Sequence, residues 1–127
     1  MQAFRFTTPL HTCTARVVLA AALASASLSA FAHHGWGDYD AAKPMTVKGK
    51  VAELNYANPH ASLRIDIDGK RWTAILAPVS RMESRGASQQ MLAPGKEVTL
   101  VGYPSRTTDG EMRIERVSAD GKTVELR

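Results

Sequence analysis

The stretch that most constrains the fold runs from Leu63 to Leu76. Leu63, Ile65 and Ile67 alternate with Arg64, Asp66 and Asp68, and Trp72, Ala74 and Leu76 share one face of the returning segment. An apolar period of two sets one face of a strand against a core and the other against solvent. Asp68-Gly69, alone or extended by Lys70, lies between the two runs and is a strong tight-turn dipeptide. Asn58-Pro59 precedes the hairpin and Pro78 follows it, and proline cannot donate to a ladder. A chain holding this unit is committed to an antiparallel sheet with one buried face.

The N-terminal third bounds how large that sheet can be. Arg5 and Arg16 give a positive leading region, and Val17 to Leu28 form an Ala- and Leu-rich apolar run. Ala30-Phe31-Ala32 then supplies the small residues that a signal peptidase reads. Ser25, Ser27 and Ser29 dilute the run, which falls short of the roughly 20 strongly apolar residues of a membrane span. The expectation is a signal peptide over 1–32, cleaved after Ala32, and a periplasmic or secreted product with no membrane span. Removing 32 residues from 127 leaves 95, enough for one small domain. The leader holds two of the 16 basic residues and none of the 12 acidic ones, so the remainder carries fourteen against twelve, a net +2. That near balance gives little reason to expect nucleic acid. The single cysteine, Cys13, lies in the leader, so the core, a ligand or a metal must stabilise the rest.

Residues 33–44 are Gly-rich, aromatic and acidic with no strand or helix period, and they read as an arm that Trp36 and Tyr39 pin to the body. The domain proper is expected over 45–127. From Met45 to Tyr56 the apolar parity shifts between Val51 and Leu54, the mark of a β-bulge in a bent strand. Ser80-Arg81-Met82-Glu83 has the form of a capping box, and Gly86 suits the helix end that follows. Ser88 is placed to cap a further turn through Leu92 before Pro94-Gly95. Val98, Leu100, Val101 and Tyr103 form a fourth strand. Met112, Ile114 and Val117 form a fifth with a second phase slip, and Asp120-Gly121 turns into a short last strand holding Val124 and Leu126. Three strands, a short helix, two strands and a terminal hairpin describe an all-β, OB-like Greek-key barrel with its one helix between strands 3 and 4. A lipocalin-like or sandwich fragment is the alternative, but neither explains the helix. The expected core is Val47, Val51, Leu63, Ile65, Ile67, Trp72, Leu76, Val98, Leu100, Ile114 and Val124.

Several motifs carry a wider resemblance: Ala32-His33-His34-Gly35-Trp36, Tyr39-Asp40, Asn58-Pro59-His60, Pro78-Val79-Ser80-Arg81-Met82, Pro94-Gly95 and Gly102-Tyr103-Pro104-Ser105. In these the chain resembles a family of small exported bacterial proteins known only as a domain of unknown function. The resemblance implies export and a small β-barrel. It brings no activity with it.

Chemistry has to be read from the residues. Beyond the leader the chain holds three histidines, His33, His34 and His60. Cleavage after Ala32 makes His33 the N-terminus, where its α-amine and Nδ1 can chelate one metal ion in a six-membered ring. His34 or His60 is the further nitrogen, and an N-rich set without thiolate favours copper over zinc. The other reading is a solvated end and a turn histidine. No Ser-His-acid order stands out, so binding is expected over catalysis. The alternative function is a metal-free module that takes a small anion, a glycan or an envelope protein partner, with Arg64, Lys70, Arg71 and Arg106 as a basic rim.

Overall fold

The computed structural model describes residues 35–127. Strand β1 (Met45–Asn55) is followed by β2 (Ser62–Ile67), β3 (Lys70–Ile75), helix α1 (Val79–Arg85), β4 (Glu97–Pro104), β5 (Glu111–Ala119) and β6 (Lys122–Glu125). The sheet order is β3-β2-β1-β4-β5-β6, and a parallel pairing of β3 with β5 closes five strands into a barrel. All other pairings are antiparallel. This is the expected OB-like architecture with its helix between β3 and β4.

Both phase slips are bulges. In β1, Val51 pairs with Ile65 and Glu53 with Arg64, so Ala52 is the extra residue. In β5, Ile114 faces Gly102 and Arg116 faces Val101, which leaves Glu115 unopposed. Each bulge bends its strand, as closing so small a barrel requires. Gly102 sits at the second bulge, where a Cβ would collide with the backbone carbonyl of Arg113. Both hairpin turns form at their Asp-Gly pairs: Asp68 and Gly69 have φ of 50° and 77°, and Asp120 and Gly121 have 51° and 74°. Two successive positive φ angles match the twist of the flanking strands.

Nine of the eleven expected core residues are buried, while Ile67 and Trp72 remain half-buried. Met82, Ala87, Met91 and Leu92 complete the core from the helical segment. The capping box does not form. The helix begins earlier, after Pro78, whose carbonyl accepts from the Arg81 and Met82 amides, and it has no side-chain cap of its own. Asn58 Oδ1, from the β1–β2 loop, accepts the Val79 N–H at 3.2 Å. Ser80 therefore lies inside the first turn, where its hydroxyl is not in the capping position. Gly86 ends the helix at φ 82°, and Ser88 Oγ accepts the Met91 N–H, as their positions suggested.

Candidate functional site

β1 runs away from Met45 toward α1, and β2 returns from α1 toward Ile67. The two ends of the barrel are treated differently. At the end where β1 stops, Tyr56 donates to the Ala87 carbonyl at 2.8 Å and Met82 is fully buried, so the helical segment closes it. At the other end the first half of β1, from Met45 to Lys50, pairs with β4, while its pairing with β2 starts only at Val51. β2 still passes close to Gly49, where a Cβ would stand 3.1 Å from the Asp66 carbonyl, and toward Met45 a cleft of about 610 Å³ opens. Met45, Val47, Ile67 and Trp72 provide its apolar surface, with Thr46, Lys48, Asp68 and Lys70 alongside.

Trp72 is opposite Ile65 in the β2–β3 ladder, and residues directly opposite share a face. It therefore points inward, as its parity suggested, but it stands at the unclosed end and stays half-exposed. The Lys70 ammonium lies 5.1 Å from the Trp72 ring centroid and donates to both carboxylate oxygens of Asp109 at 2.7 Å. Those bonds hold the Asp109 carboxyl below its ordinary range. Lys48 pairs with Glu97 at 2.9 Å. The lysines beside the cleft thus come with their own counter-charges.

The wider basic rim is neutralised in the same way. Arg64 pairs with Glu53, and Arg71 binds Asp66 through Nε and Nη2 at 2.8 and 2.9 Å. Arg106 pairs with Asp40 at 3.2 Å. The Asp66 carboxyl is held low by its bond to Arg71, so it serves as an ion-pair partner.

A second polar centre lies where the arm meets the barrel. Trp36–Asp38 forms one 3₁₀ turn, and Tyr39 then bridges to Ser105. Arg106 fastens the same segment, its amide donating to the Asp38 carbonyl and its Nε to the Tyr39 carbonyl. Tyr39 is buried and donates to Glu111 at 2.8 Å; burial, and then the neighbouring carboxylate, push its phenol above the usual range. Trp36 meets the Tyr103 ring edge-on at 6.1 Å, with Arg113 5.3 Å and Arg127 4.7 Å from its centroid. Arg113 is only 5% exposed, and its Nε and Nη1 have no hydrogen-bond partner among the described residues. Sequence reasoning missed this centre. The signal available was a single Arg between Met112 and Ile114, which reads as an ordinary outward position on a half-buried strand.

His33 and His34 lie outside the described residues. His60 is half-buried in the β1–β2 loop, directly after the cis Asn58-Pro59 bond. Its neighbour Ala61 continues the ladder beside Leu76 and Ala77 and is fully buried, which sets His60 on the outer face with Ser62. Ser62 pairs with Ile75 and Ile75 with Arg113, so His60 lies at the margin of the outer surface that Trp36 covers two strands away. Among the described residues no group of three His, Cys, Asp or Glu side chains could hold a metal ion.

The chain matches the model of a family of unknown function, DUF6152, over residues 20–113. No match was found among curated proteins. Among solved structures it is similar to the S. pombe Stn1–Ten1 complex, at 14% identity and a TM-score of 0.50, over 60% of this chain and 57% of that one. It is also similar to TiaS in its complex with a tRNA and ATP, at 15% identity and a TM-score of 0.48, over 70% of this chain and 20% of that one. The chain therefore spans little more than half of the first structure and a fifth of the second. At such identities the likeness to the first concerns the fold.

Proposed function

The chain belongs to the DUF6152 family, whose function is unknown, and on that premise we propose that it is an exported OB-type module that binds a small ligand in the open end of its barrel. The observation that carries this reading is the position of Trp72: inward by register, half-exposed in fact, on the wall of a 610 Å³ cleft. Binding sites of this size combine an apolar wall with a few polar groups. The paired state of Lys48, Lys70, Arg64 and Arg71 argues against a polyanion, which needs unneutralised cations. Among the classes considered, a short glycan suits an aromatic face beside Thr46, Asp68 and Lys70. The test is NMR titration of the processed protein with maltotriose and chitotriose, following the Trp72 indole N–H. A saturable shift that Trp72→Ala removes supports the reading, and an unmoved resonance at millimolar sugar rejects the glycan.

A second reading has its own support. His60 stands on the outer surface two strands from the Trp36 position, and His33 precedes Trp36 by three residues. In this reading cleavage after Ala32 creates a copper-type site from the His33 amine and imidazole, with His34 or His60 as the further nitrogen. Export supplies the premise, since the chelate requires a free amine at residue 33.

A further inference from the structure

A buried guanidinium with unmade hydrogen bonds requires a physical explanation. Leaving a buried donor unpaired costs about 1–3 kcal/mol, and more when the group is charged. Arg113 has two such nitrogens, Nε and Nη1. The Trp36 ring attracts the cation but offers its edge nitrogens no acceptor.

The nearby carboxylates are already engaged. Glu111 accepts the Tyr39 hydroxyl at 2.8 Å, and Glu115 accepts the Tyr103 hydroxyl at 2.9 Å and lies 3.8 Å from Arg127. Further positive charge converges on the same place. Arg127 lies against the Trp36 ring, and Arg81 is close enough for its charge to oppose that of Arg113. Arg81 is itself held at one nitrogen, by the Leu126 carbonyl at 3.4 Å. Two guanidiniums lie against one indole and a third adds its charge beside Arg113, with two carboxylates that phenols already occupy.

We propose that Arg113, flanked by Arg81 and Arg127 and covered by Trp36, is a binding site for a small oxyanion on the outer face of β3 and β5. The ligand chemistry is a carboxylate or a tetrahedral phosphate or sulfate group. Each edge of a guanidinium matches two oxygens of such an anion, and each edge of Arg113 includes one of the unpaired nitrogens. Trp36 admits the ligand by a local movement. Its 3₁₀ turn has no side-chain cap and rests on backbone bonds of 3.4 and 3.2 Å, whereas Tyr39 and Arg106 hold the arm firmly just beyond it. This site is separate from the cleft at Trp72 and from any metal at the histidines, and it does not depend on either.

The experiment uses the exported protein in sodium phosphate, sodium sulfate and sodium acetate against sodium chloride at matched ionic strength. Two quantities are read: the melting temperature, and the Arg113 Nε–H resonance. The anion that fits should raise the melting temperature above the chloride control and move the resonance with one saturable curve. Which of the three salts acts separates a carboxylate from a tetrahedral ligand. Arg113→Met should abolish the saturable part of the response and leave only the non-saturating rise that excluded salts give any folded protein. It should be no less stable than the parent in chloride, because it removes an uncompensated buried charge. Arg81→Gln should weaken the apparent affinity at least threefold. An Arg113 resonance indifferent to all three anions overturns the site and leaves a bridging water as the partner. So does an undiminished response in Arg113→Met. If that variant does not fold, the resonance titration of the parent decides alone.

Discussion

Tyr39 donates a 2.8 Å hydrogen bond to Glu111 across 72 residues of sequence, and this bond ties the arm to the first residue of β5. The tyrosine is buried, and the strand it reaches is the one that carries Arg113. Removing only the hydroxyl, in Tyr39→Phe, should cost about 1–2 kcal/mol, because Glu111 loses its donor while the ring still packs. Tyr39→Ala also deletes the buried ring and should cost about 3–5 kcal/mol. Urea unfolding measures both. Equal losses in the two variants would show that the ring contributes nothing beyond its hydroxyl.

The same phenol predicts an alkaline limb. Burial and Glu111 raise the Tyr39 pKa in the folded state, whereas an unfolded tyrosine titrates near 10. Below pH 10 both states hold the proton, and the stabilisation is complete. Above it the unfolded chain releases a proton that the folded chain keeps, so stability falls as pH rises toward the folded value. Tyr56, through burial, and Tyr103, through its bond to Glu115, are raised in the same direction. Unfolding free energy should therefore decline from about pH 10 upward, with a shallower slope in Tyr39→Phe. An identical slope in that variant would assign the effect to the other tyrosines.

Gly102 tests the second bulge. With the Arg113 carbonyl where its Cβ would stand, Gly102→Ala must shift one backbone against the other. Ordinary overpacking costs about 1–3 kcal/mol, and a collision with backbone should reach or exceed the top of that range. Gly37→Ala is the control, since a Cβ there meets nothing within 4 Å. A Gly102→Ala protein as stable as that control would contradict the close approach.

How much of this was legible in sequence depended on how local the cause was. Alternation around Asp68-Gly69 and the parity changes near Val51 and Ile114 are set by neighbours along the chain, and they read correctly as a hairpin and two bulges. Ser80 misled because Pro78 starts the helix earlier and Asn58, 21 residues upstream, takes the Val79 amide. Trp72 gave its direction through parity but not its exposure, which depends on that end of the barrel being left unclosed. Arg113 was illegible for the same reason on a larger scale. Its position is ordinary until Trp36 folds back over it from 77 residues earlier.

Of the predicted metal ligands, only His60 can be located in the described residues, so the copper reading stands on an experiment at the N-terminus. Intact mass of the protein recovered from an expressing bacterium should place its first residue at His33. Titrating that protein with Cu(II) should then give a complex tighter than a free His-His peptide forms if His60 adds a nitrogen from the β1–β2 loop, and no tighter if His34 does. Acetylating the His33 amine keeps both imidazoles but removes the amine from the six-membered ring, and it should weaken binding at least tenfold. His60→Ala should weaken it by a smaller factor if His60 is the further nitrogen, and not at all if His34 is. Equal affinity with and without the acetyl group would remove the copper reading and leave the cleft at Trp72 as the basis for function.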